Sequence, residues 1–430
     1  MDDRQPSRRE ILKTAACLTA AASIGAGGGA HAANHGGREL APHRQIDAAL
    51  QRAVDTREVP GVVAMAANDK GLVYEGVFGT RDLAKGPAMT RDTLFRIASM
   101  TKAVTSVAAM QLVEQGKLSL NDPVPNIDPA LGAPQVLEGF DGSGAPFLRP
   151  AKRPITLRHL LTHTAGFTYE MWDGNTQRYV KQTGMPSTPS GKIAALRMPL
   201  MFDPGERWEY GVNLDWVGLL VQAVSGQPLD VYFHKHITGP LGMKDTGFVA
   251  TDAQRARQAS VHVRKPDGSL EPQPLETQFA PEFYAGGGGL YSTAPDYLTF
   301  VQMLLHQGRF NGARILKPET VALMGKNQIG DIEAGVLKTY MPARTNDVDL
   351  FPGQSLKWGL GTMINMEPGP NGRSAGSLTW AGIFNTYYWI DPAKRVAGVY
   401  MTQILPFADP TALKVCGQFE SGLYNPARAA

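Results

Sequence analysis

Apolar positions along this chain change period twice. Residues 43–56 carry helical periodicity. Residues 61–67 and 72–78 then read as two strands joined by the tight turn Asn68-Asp69-Lys70-Gly71. Residues 103–114 are largely apolar around the whole helical circumference, the pattern of a core helix, and residues 214–225 predict another helix that Gly226 ends. From Ser99 to about Phe283 the signals are mostly helical, broken by Pro- and Gly-rich loops at 131–154 and 182–190. Strand patterns return at 358–364, 374–380, 386–391 and 397–403, with Asp391-Pro392-Ala393-Lys394 as a hairpin turn and residues 407–423 as a covering helix. The fold class is therefore α+β. One antiparallel sheet flanked by helices is built from both ends of the chain (33–98 and 285–430), and a mostly helical domain (99–284) is inserted between.

The first 32 residues stand apart from this pattern. Ser7-Arg8-Arg9-Glu10-Ile11-Leu12-Lys13 is a twin-arginine signature, followed by an Ala-rich stretch and the small-residue cleavage pattern Ala30-His31-Ala32. The expectation is a leader removed after Ala32, with the mature protein periplasmic or secreted. Removal takes away Cys17 and leaves Cys416 alone, so the expected mature chain has no internal disulfide and relies on core burial. No other segment has about 18 uninterrupted apolar residues, so no membrane span is expected.

Composition narrows the function classes. The chain is 43% hydrophobic and 19% charged with formal net charge +3, and the leader, with four basic and three acidic residues, accounts for one of those charges. No basic cluster remains to grip nucleic acid or an anionic membrane. The balance is that of a compact globular enzyme rather than a binder of charged polymers.

The strongest chemical signal is Phe95-Arg96-Ile97-Ala98-Ser99-Met100-Thr101-Lys102. Residues i and i+3 share a helix face, so the Lys102 amine can lie against the Ser99 hydroxyl and take its proton. A chain of this length holds about one Ser-x-x-Lys by chance. Here the pair opens a core helix, whose first N–H groups and positive dipole end would point at Ser99. A second segment, Phe202-Asp203-Pro204-Gly205-Glu206-Arg207-Trp208-Glu209-Tyr210-Gly211-Val212-Asn213, offers Tyr210 as a proton shuttle whose ionised form a neighbouring ammonium would favour, or as a core tyrosine. A third, Gly376-Ser377-Leu378-Thr379-Trp380-Ala381-Gly382-Ile383, places small residues at a strand end and an N–H after Gly382 that could donate to an oxyanion.

In order and spacing these three segments resemble the serine β-lactamase and DD-peptidase superfamily, and within it the class C-like family VIII carboxylesterases. The stretches 116–123, 156–166 and Gly286-Gly287-Gly288-Gly289-Leu290-Tyr291-Ser292-Thr293 are similar to that family as well. The resemblance implies a β-lactamase/transpeptidase-like fold, Ser99 as nucleophile, Lys102 as its partner and Tyr210 as the second-motif base. It also implies an oxyanion hole from the N–H groups of Ser99 and Ile383, a substrate-binding strand Trp380-Ala381-Gly382, and no cofactor. Asn213 comes one residue later than the Tyr-x-Asn of class C lactamases, which unsettles its role as a substrate contact. Trp380 stands where lactamases carry a lysine, which favours neutral ester or lactone substrates over carboxylate-bearing lactams.

His159 and His163 lie four apart on an expected helix, a metal-compatible spacing, but no third ligand arm is apparent and no metal is expected. The Gly286–Gly289 run lacks the Lys-Ser/Thr of a phosphate loop, so close backbone packing near a cleft is expected instead. The function expected is an exported carboxylesterase or lactonase. The alternatives are a β-lactamase or D-amino-acid peptidase of the same fold, or a catalytically silent binding protein.

Overall fold

The apolar runs at the two ends of the chain meet in one sheet. The computed structural model describes residues 43–275 and 280–425; the leader and Cys17 lie outside the described residues. Its seven-stranded antiparallel sheet comprises β1 (Gly61–Asn68), β2 (Gly71–Gly79), β3 (Leu356–Trp358), β4 (Met363–Asn365), β5 (Leu378–Gly382), β6 (Thr386–Asp391) and β7 (Val396–Met401). The strand order is β3-β4-β5-β6-β7-β1-β2, so the first strand of the chain pairs with the last of the seven, with Val63 opposite Met401.

Two expected strands are displaced. The run 358–364 is a hairpin, with Trp358 of β3 opposite Met363 of β4. Its turn contains Gly361 at φ +97°, pressed so closely on Ser106 that a Cβ there would overlap the serine side chain. The run 374–380 starts late, because Ser377 Oγ donates to Ser374 O at 2.8 Å and Gly376 takes φ +81°; the strand begins at Leu378.

Both faces of the sheet are covered, which is why β1 and β6 are apolar almost throughout rather than alternating. Helix α1 (Arg44–Asp55) and a C-terminal helix (Pro410–Tyr424) pack together on one face. There Phe419 meets Tyr74 and Trp389, each at 5.4 Å between ring centroids. A helix over Ala294–Leu305 covers the other face, with Tyr297 5.3 Å from Tyr388. Adjacent residues 388 and 389 thus serve opposite layers, as strand geometry requires. The buried Cys416 is a free thiol. Among the described residues no helix is long and apolar enough to cross a membrane.

Helix α2 (Thr101–Glu114) is buried from Thr101 to Leu112, consistent with its all-round apolar sequence. Beside it runs α3 (Asn213–Ser225), ended by Gly226 in the left-handed region. The glycine run 286–289 threads between them. A Cβ on Gly286 would meet the Leu214 carbonyl at 2.6 Å, and one on Gly287 the Asp215 carboxylate at 2.6 Å. Only glycine permits that approach, and it brings the Gly287 peptide to the start of α2.

Candidate active site

Ser99 sits in the short 3-10 turn Ala98–Met100, which runs directly into α2. The turn is entered through Ala98 at φ +41°, a conformation costing an L-residue about 1 kcal/mol or more. Packing holds it there: Ala98 is buried with Phe384 and Leu405, and Ile383 packs against the same small cluster. Ser99 remains only partly buried between its buried neighbours Ala98 and Met100, so it is the residue of the turn that can be reached.

Lys102, one turn on, is completely buried. Its Nζ lies 3.1 Å from Ser99 Oγ and 3.3 Å from the Tyr169 hydroxyl, and it donates to the Gly287 carbonyl at 2.6 Å. Burial lowers its pKa to about 7, with the nearby Asp215 carboxylate opposing the shift. At neutral pH a substantial fraction is therefore free amine, the form that can accept a serine proton.

Tyr210 is also fully buried, with Lys102 Nζ 4.6 Å from its ring centroid. Its hydroxyl accepts a 2.9 Å hydrogen bond from Trp380 Nε1 and is hydrogen-bonded to Ser99. The expectation that a neighbouring ammonium would favour the phenolate is not met. Burial raises the Tyr210 pKa and outweighs its hydrogen bonds with Ser99 and Trp380, so the group is a protonated phenol.

The third segment is backed onto the serine turn. A Cβ at Gly382 would collide with the Ile97 carbonyl and the Thr386 hydroxyl, so glycine is what lets β5 close on the serine turn. Ala381 and Trp380 are buried, and Trp380 is wedged 4.8 Å from both Tyr210 and Trp358. Its indole N–H is the hydrogen-bond donor to the Tyr210 hydroxyl.

Asn213 is fully buried, with its amide engaged within the protein. Its amide Nδ2 lies 2.9 Å from His163 Nδ1 and donates to the Phe167 carbonyl at 3.2 Å, deep in the protein. The extra residue between Tyr210 and Asn213 puts the asparagine at the start of α3, where it serves the scaffold rather than a substrate. The two histidines do not share a helix face either. The helix Leu157–Leu161 stops before His163, which takes φ +57°. His159 accepts the Thr156 N–H in a capping box, whereas His163 braces the Tyr210 loop, its carbonyl accepting from Glu209 N–H and its Nδ1 from Gly211 N–H. Among the described residues no group of three metal-ligating side chains converges.

Two side chains at this site escaped sequence reasoning: Tyr169, three residues beyond the family-like stretch ending at Gly166, and Asp215. Tyr169 is hydrogen-bonded to Asp215, and Gly287 N–H donates to Asp215 Oδ1 at 2.9 Å. The signal for Asp215 was its place as the one charged residue in a largely apolar helix.

A serine and a buried low-pKa lysine at the head of a core helix, beside an antiparallel sheet, define the class of serine acyl-transfer folds to which β-lactamases and transpeptidases belong. Residues 46–414 match the Beta-lactamase family model, and the chain belongs to that family. It is 33% identical over 395 residues to monacolin J acid methylbutanoyltransferase of Aspergillus terreus, covering 88% of this chain and 95% of that protein. It is 32% identical over 377 residues to lovastatin esterase of Penicillium rubens, covering 84% and 93%. Among solved structures, a mutant of simvastatin synthase from Aspergillus terreus superposes with TM-score 0.78 at 31% identity, covering 90% of this chain and 99% of that one. These relatives are acyltransferases and esterases, so the family evidence supports a hydrolase or acyl transferase.

Proposed function

We propose that the protein is a carboxylic ester hydrolase, acting on small esters or lactones through an acyl-enzyme on Ser99. The observation that carries this reading is Lys102 Nζ at 3.1 Å from Oγ of the half-buried Ser99, with burial holding the Lys102 pKa to about 7. Neutral Lys102 takes the Ser99 proton as Oγ attacks the carbonyl carbon. The N–H groups of Ser99 and Ile383 stabilise the tetrahedral oxyanion. As the ester C–O bond breaks, the leaving alkoxide takes a proton from the Lys102–Tyr210 pair and departs as alcohol, leaving the acyl group on Oγ. Water then enters and the same groups run the steps in reverse order.

Position 380 bears on the substrate. A tryptophan there supplies no positive charge for a lactam carboxylate, and a buried carboxylate lacking a partner loses several kcal/mol of compensation. The acyltransferase relatives support a second outcome for the same intermediate, in which an alcohol rather than water accepts the acyl group. The leader signature Ser7–Lys13 supports export by the twin-arginine route to a periplasmic or extracellular site.

Labelling the mature protein with a fluorophosphonate and mapping the adduct by mass spectrometry tests the central step. Modification of Ser99, and loss of p-nitrophenyl ester turnover in Ser99→Ala, are expected; labelling elsewhere, or unimpaired turnover in that variant, would refute it. Replacing Arg8 and Arg9 with lysine should retain the full-length precursor inside the cell.

A further inference from the structure

The hydrogen bonds around Lys102 have a direction. As a neutral amine, Lys102 Nζ has two N–H donors and one lone pair, and three oxygens face it: the Gly287 carbonyl, the Tyr169 hydroxyl and Ser99 Oγ. The Gly287 carbonyl can only accept. A hydroxyl can do either, so either Tyr169 or Ser99 could occupy the lone pair, and only the second arrangement is productive.

Asp215 settles the choice. It is a fully buried side chain on α3, faced by two donors, the Gly287 N–H at 2.9 Å and the Tyr169 hydroxyl. Burial raises its pKa, opposed by Lys102 and by the hydrogen bonds from Gly287 and Tyr169, which favour the charged form; as a carboxylate it accepts from both, and Tyr169, its O–H directed at Asp215, can only accept from Lys102. The lone pair is then left for the Ser99 O–H. On the other side, Trp380 donates to Tyr210, which frees the Tyr210 proton for Ser99. Every bond in the chain Trp380, Tyr210, Ser99, Lys102, Tyr169, Asp215 thus runs the same way.

We infer that Asp215 and Tyr169 are positioning residues that aim the lone pair of Lys102 at the Ser99 hydroxyl and exclude the competing arrangement in which Tyr169 blocks it. The inference rests on Ser99 and Lys102 acting as proposed above. The Gly287 peptide couples the two halves, since its carbonyl accepts from Lys102 while its N–H donates to Asp215. The titratable groups facing Lys102 are Tyr169, Tyr210 and His163 from the connecting segments and Asp215 from α3; of these, Asp215 supplies the negative charge that raises the pKa of Lys102.

Asp215→Asn tests the direction with little change of shape. With the amide oxygen held by Gly287 N–H, the amide N–H faces Tyr169 and turns its proton toward Lys102. Ester kcat should fall about a hundredfold with KM nearly unchanged, and the acid limb of the pH profile should move to lower pH, because a charge favouring the ammonium is gone. Tyr169→Phe alone should lower kcat about tenfold, and adding it to Asp215→Asn should recover activity, since the misdirected donor no longer exists. Activity of Asp215→Asn within about twofold of the parent with an unmoved pH profile would overturn the inference, as would a double variant showing the product of the two losses. Should Asp215→Asn not fold, by circular dichroism and melting, Tyr169→Phe decides: full activity there overturns the proposal. Fluorophosphonate labelling separates the two readings. No label on Ser99 in the parent protein sinks the esterase proposal, whereas parent-like labelling rates in Asp215→Asn sink only the positioning role.

Discussion

Trp380 Nε1 donates a 2.9 Å hydrogen bond to the hydroxyl of Tyr210, across 170 positions of sequence. The residue standing where lactamases carry a lysine thus still serves the second motif, through a neutral donor instead of a cation. Trp380→Phe keeps an aromatic side chain but removes the N–H together with the five-membered ring, and should reduce ester kcat about tenfold with little change in KM. Steady-state kinetics on a p-nitrophenyl ester would check it.

Substrate class follows from the same position. The kcat/KM for a short neutral ester should exceed that for a chromogenic cephalosporin by at least about a hundredfold, or ~2.7 kcal/mol in the barrier. Trp380→Lys should narrow that gap. Equal turnover of both substrates by the parent enzyme would favour the lactamase alternative.

The protonation of Lys102 sets a pH limb. Its buried pKa is about 7, and only the neutral amine accepts the serine proton, so kcat/KM should rise with pH through about 7 and level off above it. Activity that stays flat from pH 5 to pH 9 would contradict the assignment of Lys102 as base.

Lys102 and Tyr210 both contact Ser99 and should act as one unit. Lys102→Met and Tyr210→Phe should each lower kcat by orders of magnitude without unfolding the protein. Their combination should cost little more than the worse single change. A double variant showing the full product of both losses would mean independent roles.

Gly382→Ala should damage activity through geometry alone. The added Cβ meets the Ile97 carbonyl and the Thr386 hydroxyl, and the backbone partner cannot yield without moving the serine turn away from β5. Fluorophosphonate labelling should slow markedly, with stability lowered by about 1–3 kcal/mol in urea unfolding.

Much of the architecture was legible from local pattern. Continuous apolar runs marked β1, β6 and α2 because segments buried on both sides carry no polar face. Ser99 and Lys102 could be paired from sequence because three residues of helix suffice to bring them together. The turn inside residues 358–364 was hidden, because its cause is contact between Gly361 and Ser106, 255 positions apart in the chain. The chemistry of Lys102 was hidden for the same reason. Its burial, and the partners that direct its protons, come from Tyr169 and Gly287, 67 and 185 residues away, and from Asp215 on a different helix. A sequence can carry a lysine beside a serine, but desolvation is a property of what the whole chain packs around it, and it is the tertiary structure that lowers the pKa of that lysine to about 7.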